Sequence, residues 1–369
     1  MDRAGFLKSG AALSVAAGLP RLALASPEGV VFDPMPGAWR TFDITTRIEI
    51  LKPVGTSRAW VPLAAFEQPD WIRPISNTWT SNAPKAVERR VTPYGARLVY
   101  AEWTDARTNP VLEVASRIMT RDRAVDFSKP GNPKALSSAE RRLFTAPTAL
   151  IPTDGIVKQT SDKITAGADT DLEKTRRIYE WIVDNTFRNP TTRGCGLGNI
   201  TVMLTTGDMG GKCADLNDLF VGLARAAGIP ARDLYGIRVA PSKFGFKALG
   251  ANSETITKAQ HCRSEVYLDG FGWVPMDPAD VRKVVLEEPP GNLAIGDAKV
   301  AAARKTLFGA WETNWIAYNE AHDVPLPGSD EPPVGFLMYP QGEPGTARID
   351  CLSPDDFKYT ISSKEIVAT

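Results

Sequence analysis

The sequence predicts an α+β protein in which an antiparallel β region precedes a core of helices and strands. From residue 42 to residue 50 every second side chain is Phe, Ile or Thr, and the side chains between them are polar, as in a half-buried strand. Between Leu216 and Ala227 the apolar residues recur at spacings of three and one, which is typical of a helix with one buried face. The chain also contains 30 Gly and 29 Pro, whose clusters separate further strand-like segments.

The charge balance excludes some classes of function. The 369 residues carry 43 Lys and Arg against 43 Asp and Glu, so the chain offers no strong field for nucleic acid. Only two histidines occur, His261 and His322, which nearly excludes a multi-histidine metal site. Four cysteines are too few for a disulfide scaffold at this length, and no C-x-x-C pair supports a zinc site.

Residues 1–25 have the features of an export signal. Arg3 and Lys8 form a basic start, an uncharged run covers residues 9–20, and Ala23-Leu24-Ala25 forms an A-x-A cleavage site. The run is too short to span a bilayer, which needs about 20 residues. A frayed N-terminal helix is the alternative. We expect cleavage near Ala25, a periplasmic or secreted protein, and no stable membrane insertion.

Three regions are expected after the signal. Residues 26–130 are predicted to form an antiparallel β domain, and residues 131–285 a core domain that carries the chemistry. Residues 286–369 are predicted to form a mixed extension that packs on the core. A helix is expected near 301–318 of this extension.

Two helices of the core have recognisable ends. Thr170 and Glu173 form a capping box at the start of the first helix. The second helix is expected to begin at or beside Cys213 and to end at Gly228, with Pro230 shortly after it.

Cys213 is the candidate nucleophile. It follows Gly210-Gly211-Lys212 and lies three residues before Leu216, so its side chain is expected to face the protein body. At a helix N-terminus, unpaired N–H groups and the positive end of the dipole stabilise a thiolate and a developing oxyanion. The alternative is a small buried apolar residue. Such a residue would need neither two glycines before it nor a helix start.

His261 and Asp277 are candidates for the other two members of a triad. His261 opens a predicted strand and can take the proton of a thiol; the alternative is a hydrogen-bonded histidine at a strand end. Asp277 follows an apolar strand, where it can orient the imidazole; the alternative is an Asp-Pro turn. Asp280 is a weaker candidate that is expected to cap this turn.

The spacing of His261 and Asp277 predicts the shape of the hairpin between them. Directly opposed residues share a face of a sheet, and these two residues are 16 positions apart. They share a face only if the loop has an odd length or a bulge. The segment Asp269-Gly270-Phe271-Gly272 allows either. A two-residue Asp269-Gly270 turn is the first expectation but would place them on opposite faces, whereas a three-residue loop with Gly in the αL position would bring them together.

The remaining cysteines and the second histidine are weaker candidates. Alternation along the strand turns Cys262 away from His261, so Cys262 is expected to pack or to form a disulfide. Cys195, between two glycines, is a loop thiol with disulfide or reactive potential, and Cys351 is expected to be incidental. His322 is expected in a loop and is the fallback base.

These residues lie in motifs that resemble those of the transglutaminase-like superfamily. Gly211-Lys-Cys-Ala-Asp215 resembles its G-x-C-x-[DE] helix start, and Leu223-Ala-Arg-Ala-Ala-Gly-Ile-Pro-Ala-Arg232 resembles its L-x-R-x-x-G-I-P-A-R helix end. The segments through Val266-Tyr267 and Gly272-Trp273-Val-Pro-Met-Asp-Pro278 resemble its later H-x-W-x-E-V and G-W-x-x-x-D-P strands. The resemblance covers about residues 170–280.

The resemblance implies a papain-like α+β fold, in which a helix bearing Cys213 packs on an antiparallel sheet bearing His261 and Asp277. It also implies acyl transfer, in which Cys213 attacks a carboxamide or peptide carbonyl, His261 moves the proton and Asp277 orients His261. The Cys213 N–H and a donor from residues 195–212, for which Asn199 is the candidate, would hold the oxyanion. No metal or organic cofactor is implied.

Arg263 departs from the family pattern. It stands two residues after His261, where the family usually has an aromatic residue. It is expected either to meet a substrate carboxylate or to face solvent.

Three functions are compatible with the sequence. The first is an exported cysteine peptidase or amidase that acts on a protein or on cell-wall peptide. The second is a transglutaminase that forms isopeptide cross-links, and the third is a non-catalytic binding module on the same scaffold. The presence of all three triad members favours an enzyme, but the sequence does not identify the substrate.

Overall fold

The computed structural model describes residues 30–353 and 355–367. The predicted export signal and its cleavage site lie outside these residues. Over the described ranges, no helix combines the length and the apolar character needed to cross a membrane.

Helices and antiparallel sheets both occur, which confirms the α+β class. The strands are β1 (Arg40–Ile50), β2 (Ser57–Pro62), β3 (Ile72–Ser81), β4 (Lys85–Val91), β5 (Ala96–Trp103), β6 (Val111–Thr120), β7 (Arg123–Ala124), β8 (Phe187–Arg188), β9 (Gly210–Gly211), β10 (Ala231–Arg238), β11 (Gln260–Leu268), β12 (Gly272–Met276), β13 (Ala310–Trp311), β14 (Trp315–Asn319), β15 (His322–Val324), β16 (Val334–Phe336), β17 (Gln341–Pro344) and β18 (Phe357–Ile366). The α-helices are α1 (Ser138–Thr145), α2 (Gly155–Thr165), α3 (Asp171–Asn185), α4 (Ile200–Thr206), α5 (Cys213–Ala226), α6 (Pro278–Glu287) and α7 (Ala298–Thr306).

Strands β1 to β6 provide three strands to each of two four-stranded antiparallel sheets. Their strand orders are β18-β1-β6-β3 and β17-β2-β5-β4. The alternation predicted for residues 42–50 is confirmed, because every second side chain of β1 is buried. Ile48 and Leu112 from the first sheet share a core with Val99 and Val61 from the second, so the two sheets enclose this core between them.

The C-terminal segment contributes to several sheets. Strand β18 pairs with β1, and β17 pairs with β2, so each N-terminal sheet receives one strand from the far end of the chain. Strand β14 instead joins the core sheet, where it pairs with β10. Residues 31–369 form one compact unit, and the boundaries expected at 130 and 285 stay a prediction.

The helix predicted near 301–318 is wrong over most of its length. Helix α7 ends at Thr306, and Gly309 follows with a φ of 109° that an L side chain rarely adopts. The chain then enters β13 and β14, and β14 is buried along its whole length. Pairing with β10 therefore overrides the local helical pattern.

Helix α5 is the central element of the core. It packs on a sheet of order β12-β11-β10-β14, and every one of its residues is buried. Its predicted end at Gly228 is confirmed: the φ of Gly228 is 83°, and the N–H of Ile229 donates to Ala224 O at 3.0 Å. The N–H of Gly228 donates to Arg225 O at 2.9 Å, which completes a Schellman motif. A firmly closed C-terminus fixes the length of the helix and hence the position of Cys213 at its other end.

The β11–β12 hairpin has the three-residue loop that the triad requires. Leu268 pairs with Gly272, which leaves Asp269, Gly270 and Phe271 as the loop. The φ of Gly270 is 83°, so the hairpin takes the three-residue alternative with Gly270 in the αL conformation, and not the two-residue Asp269-Gly270 turn that the residues alone favour. Because Ser264 pairs with Met276, the residue that opposes Asp277 is Arg263, and His261 lies on that same face.

Candidate active site

Cys213 is the first residue of α5, and its side chain is 4% exposed. The next N–H along the chain, that of Ala214, donates to Cys195 O at 2.9 Å. The N–H of Cys213 itself has no acceptor among the described residues. A free N–H therefore lies directly beside the sulfur, where an oxyanion would form.

The loop before the nucleophile is tied to the helix by Asp215. Its carboxylate accepts from the N–H groups of Leu197 and Gly198, each at 3.0 Å, and from that of Lys212 at 2.9 Å. Gly196 lies so close that a Cβ there would be 1.9 Å from Asp215 Oδ2, and its φ is 91°. Because this loop contains glycines, its backbone can pass close around the Asp215 carboxylate, which fixes the start of α5.

His261 opens toward the nucleophile from β11. Its Nε2 lies 2.8 Å from Asp277 Oδ2 and 3.3 Å from Asp280 Oδ2, which leaves Nδ1 for the thiol. The indole of Trp315 donates to the backbone carbonyl of His261 at 2.8 Å and so fixes this part of the strand.

The pKa values of Cys213 and His261 shift in opposite directions. Hydrogen bonds from the thiols of Cys195 and Cys262, together with His261, outweigh burial and hold the pKa of Cys213 well below its usual range. Burial and Arg238 act to lower the pKa of His261, but the carboxylates of Asp280 and Asp277 outweigh them and raise it to about 9. A thiolate and an imidazolium can therefore coexist near neutral pH.

Asp277 is fully buried and bonded on both oxygens. Its Oδ1 accepts from Asn217 Nδ2 at 3.2 Å and from the N–H of Asp280 at 3.1 Å, so Asp277 also caps α6. Its Oδ2 faces His261 and lies 3.4 Å from Arg263 Nε. The turn interpretation and the triad interpretation of Asp277 are therefore both compatible with the structure.

Both expectations for Arg263 were wrong. Its side chain is 2% exposed, so it neither faces solvent nor lines the cavity beside Cys213. It packs near the rings of Trp311 and Trp315, and its Nη1 donates to Glu312 O at 2.9 Å. The positive charge of Arg263 therefore stabilises the ionised form of Asp277.

The expectation that Asp280 caps the turn was also wrong. Its carboxylate is buried and accepts two hydrogen bonds from Arg238, at 2.6 and 2.8 Å. Burial opposes ionisation, but Arg238 outweighs it and holds the pKa of Asp280 well below its usual range. For Asp277, burial and the charge of Asp280 raise the pKa. Two carboxylates therefore face one imidazole, and Arg238 keeps one of them ionised.

His261, Asp277 and Asp280 are close enough to be considered as metal ligands. One ligand atom from each lies within 4.8 Å of the others. However, the guanidinium of Arg238 occupies both oxygens of Asp280, and that of Arg263 lies beside Asp277. Cations of the chain thus already balance these carboxylates, and the donor set does not fit an added metal ion.

The other predicted candidates lie elsewhere or have other partners. Asn199 caps α4, because its side chain accepts from the N–H of Val202 at 3.1 Å, and it does not line the cavity beside Cys213. It is therefore not the oxyanion donor. His322 lies in β15 rather than in a loop, and its Nδ1 is 3.2 Å from Tyr235 Oη. Burial holds the pKa of His322 well below its usual range, so it does not serve as the base.

All four cysteines are free thiols. Cys195 and Cys351 line the same cavity as Cys213, and Cys262 is fully buried. The hydrogen bond with Cys213 raises the pKa of Cys195, while burial raises the pKa of Cys262 and of Cys351. Cys213 is thus the thiol that ionises most readily.

Sequence reasoning missed Asn217 and Arg238 as partners of the triad, and it placed Asp280 only as a weaker candidate. Asn217 lies one helical turn after Cys213 and links the helix to the hairpin, since it also donates to Cys262 O at 2.9 Å. The i to i+4 spacing from the nucleophile was a usable signal. Arg238 lies 42 residues from Asp280, and a single sequence contains no pattern that pairs them.

Iodoacetamide is expected to label Cys213 first. At about pH 6 an unperturbed thiol is almost wholly protonated, whereas a thiol with a strongly lowered pKa is largely thiolate. Labelling should therefore be faster at Cys213 than at the other three cysteines by at least about ten-fold. Peptide mapping by mass spectrometry measures the four rates. Faster labelling of Cys195 or Cys351, with Cys213 inert, would contradict the assignment.

The fold and the site are together those of a cysteine-dependent enzyme in the broad sense. Residues 158–278 match the family model of the transglutaminase-like superfamily. A protein of Haemophilus influenzae, described as uncharacterized, is 36% identical over an alignment of 344 residues, and the alignment covers 88% of this chain and 91% of that protein. The chain belongs to the transglutaminase-like superfamily.

Solved structures show a similar fold. A candidate cysteine protease of Cytophaga hutchinsonii has a TM-score of 0.50 and 16% identity, over 89% of this chain and 99% of that chain. The periplasmic domain of TgpA from Pseudomonas aeruginosa has a TM-score of 0.31 and 15% identity, over 66% of this chain and 88% of that chain. The similarity to the Cytophaga hutchinsonii protein supports the fold, whereas the TM-score of the TgpA domain is too low to add support.

Proposed function

We propose that the protein is an exported cysteine-dependent hydrolase that cleaves a peptide or amide bond through a thioester on Cys213. The observation that carries this proposal is the arrangement of Cys213 at a helix start with His261, whose Nε2 is held by two carboxylates. The export part rests on the sequence of residues 1–25.

In the first half of the reaction, the Cys213 thiolate attacks the carbonyl carbon, and the C=O electron pair moves to oxygen. The free N–H of Cys213 donates to this oxyanion. The His261 imidazolium then gives its proton to the leaving nitrogen, the C–N bond breaks, and an acyl-thioester remains on the sulfur. Asp277 and Asp280 hold the imidazole by Nε2, so the transferred proton is the one on Nδ1.

In the second half, neutral His261 takes a proton from water, which attacks the thioester. The C–S bond breaks, the acid product leaves, and the thiolate–imidazolium pair is restored. Cys213 lies in a cavity of about 610 Å³ whose wall includes the exposed residues Lys258 and Asn252. Access of solvent to the thioester favours water over an amine as the second substrate.

Incubating the full chain with glutamine-containing peptides, with and without a primary amine, tests the reaction type. Mass spectrometry is expected to show peptide fragments or deamidated peptide, with Cys213→Ala as the inactive control. Incorporation of the amine in place of hydrolysis would make the protein a transglutaminase. No product from any peptide, together with an unreactive Cys213, would favour a binding module.

A further inference from the structure

The cavity that contains Cys213 and His261 has an uneven charge distribution. Six basic side chains line it, whereas no aspartate or glutamate does. These basic residues are Arg188, Arg193, Lys212, Arg238, Lys258 and Lys283. Since the whole chain has equal numbers of basic and acidic residues, this excess is a local property.

Carboxylates outside the cavity balance three of the six cations. Arg238 pairs with Asp280. Arg188 pairs with Glu287, and Arg193 pairs with Asp350 at 2.7 Å.

The other three cations are not balanced in this way. In the part of the chain that the structure describes, no carboxylate oxygen lies within 4.0 Å of the Nζ of Lys212 or of Lys258. The Asp215 carboxylate contacts only the backbone N–H of Lys212. Lys283 has only Glu287, at 3.7 Å, which Arg188 already holds. Three lysines without a carboxylate partner of their own therefore line the cavity that contains the nucleophile.

Two further features of the wall would suit a negatively charged ligand. Lys283 is 17% exposed, and burial together with Arg238 lowers its pKa to about 8, so a negative charge beside it would favour its charged form. The Nε2 of Gln260, another residue of the wall, is buried and has no hydrogen-bond partner among the described residues. The cavity wall thus contains a hydrogen-bond donor without an acceptor, Gln260 Nε2, and lysines without a carboxylate partner of their own.

We infer that this cavity binds an acyl substrate that carries a carboxylate close to the scissile carbonyl. The inference rests on the proposed function for the identity of the site, and it adds the chemical class of the substrate. A carboxylate in the cavity would offset part of the positive charge of Lys212, Lys258 and Lys283 and could accept from Gln260. Peptides with acidic side chains or a free C-terminal carboxylate close to the cleaved bond belong to this class.

Alkylation of Cys213 by iodoacetate and by iodoacetamide tests the charge without a substrate. The two reagents differ mainly in charge, and their rate ratio on a neutral cysteine peptide gives the intrinsic reference. At low ionic strength the ratio at Cys213 is expected to exceed this reference about ten-fold or more, because the cationic wall concentrates the anion. About 1 M salt should remove most of the preference, since the screening length falls to about 3 Å.

Variants separate the lysines from the imidazolium of His261, which also attracts anions. Lys212→Gln/Lys258→Gln is expected to lower the ratio at least about three-fold, because two unbalanced charges are removed. Lys163→Gln is the matched control: this exposed lysine lies outside the cavity, and its removal should leave the ratio unchanged. Thermal melting of each variant checks the fold. An unchanged ratio in a folded double variant would overturn the inference.

Paired peptides, with Glu or Gln beside the cleaved bond, supply the second readout. A lower KM for the Glu peptide that is lost in the double variant supports the inference. Cleavage of both peptides with equal KM would overturn it and leave the proposed hydrolase intact. If no peptide is cleaved but the iodoacetate preference depends on the two lysines, the proposed reaction fails while the anion site stands.

Discussion

Cys213→Ala is expected to lower turnover by at least about 10³-fold, since loss of the nucleophile in a triad enzyme costs as much as or more than this. No other described thiol combines a helix start, a free N–H and a lowered pKa. Cys195 is a neighbour, but its contact with Cys213 raises its pKa and so does not make it a substitute. The measurement is the rate of peptide cleavage, with thermal melting to show that the fold is kept.

Cys351→Ala provides a matched control for the loss of a thiol from the same cavity. This residue lines the wall but has a raised pKa, so its removal should leave turnover within about two-fold of the parent. Cys213→Ser should be almost as inactive as the alanine variant, because a hydroxyl ionises far less readily than a thiol. Retention of activity by folded Cys213→Ala would refute thioester catalysis.

Asp277→Asn is expected to lower turnover by about ten- to a thousand-fold. An amide can hydrogen-bond the imidazole but cannot stabilise its cation; in serine proteases the corresponding change costs about 10⁴, and a thiolate depends less on the third member. Asp280 lies 3.3 Å from the same nitrogen and will still support the cation in part. The fold should survive, because asparagine caps a helix about as well as aspartate.

The pH profile distinguishes this role from a purely structural one. Asp277 raises the pKa of His261, so in the variant that pKa falls below about 9 and the alkaline limb of turnover moves to lower pH. A weaker imidazolium also stabilises the Cys213 thiolate less, so the acidic limb of the alkylation rate moves to higher pH. The active range should therefore narrow from both sides. An unchanged profile with unchanged turnover would make Asp277 a turn residue only.

Asp280→Asn is the informative comparison. It leaves the guanidinium of Arg238 buried without its carboxylate, and breaking such a pair typically costs about 3–5 kcal/mol. This variant should thus show a larger fall in melting temperature than Asp277→Asn, because Arg238 donates two hydrogen bonds to Asp280, whereas Arg263 lies 3.4 Å from Asp277 and keeps its hydrogen bond to Glu312 O. The two carboxylates differ in this respect although both face the same imidazole.

The features that depend on residues close together in sequence were partly predictable. The helix start at Cys213 and its end at Gly228 follow from local rules about caps and αL glycines. The length of the hairpin loop stayed open, because Asp269-Gly270 favours a two-residue turn and only the requirement that His261 and Asp277 share a face pointed to three residues. The ordered motifs then identified the family. What could not be predicted depends on contacts between distant segments: the Arg238–Asp280 pair, the burial of Arg263 between tryptophans of the C-terminal segment, and the strand that replaces the predicted end of α7.

The errors share a physical cause. Asn199 lies in the loop that was expected to supply the oxyanion donor, but its side chain caps α4. Capping is the ordinary use of asparagine at the start of a helix. Asp280 resembled a turn residue because it follows Asp277-Pro278, but it lies in the first turn of α6. Only the position of Arg238 in β10 shows that the Asp280 carboxylate points into the protein.

The pairing of β18 with β1 and of β17 with β2 bears on how the chain acquires its structure. These pairs join residues about 300 positions apart, such as Arg40 with Glu365 across the first sheet. Contacts of such long sequence separation form slowly, because a large loop must close before they contribute. Until residue 366 has emerged from the ribosome, β1 and β2 present unpaired edges on which other chains could add a strand. The growing chain therefore depends on segments made much later for protection of the edges of β1 and β2, and aggregation competes with folding during that interval.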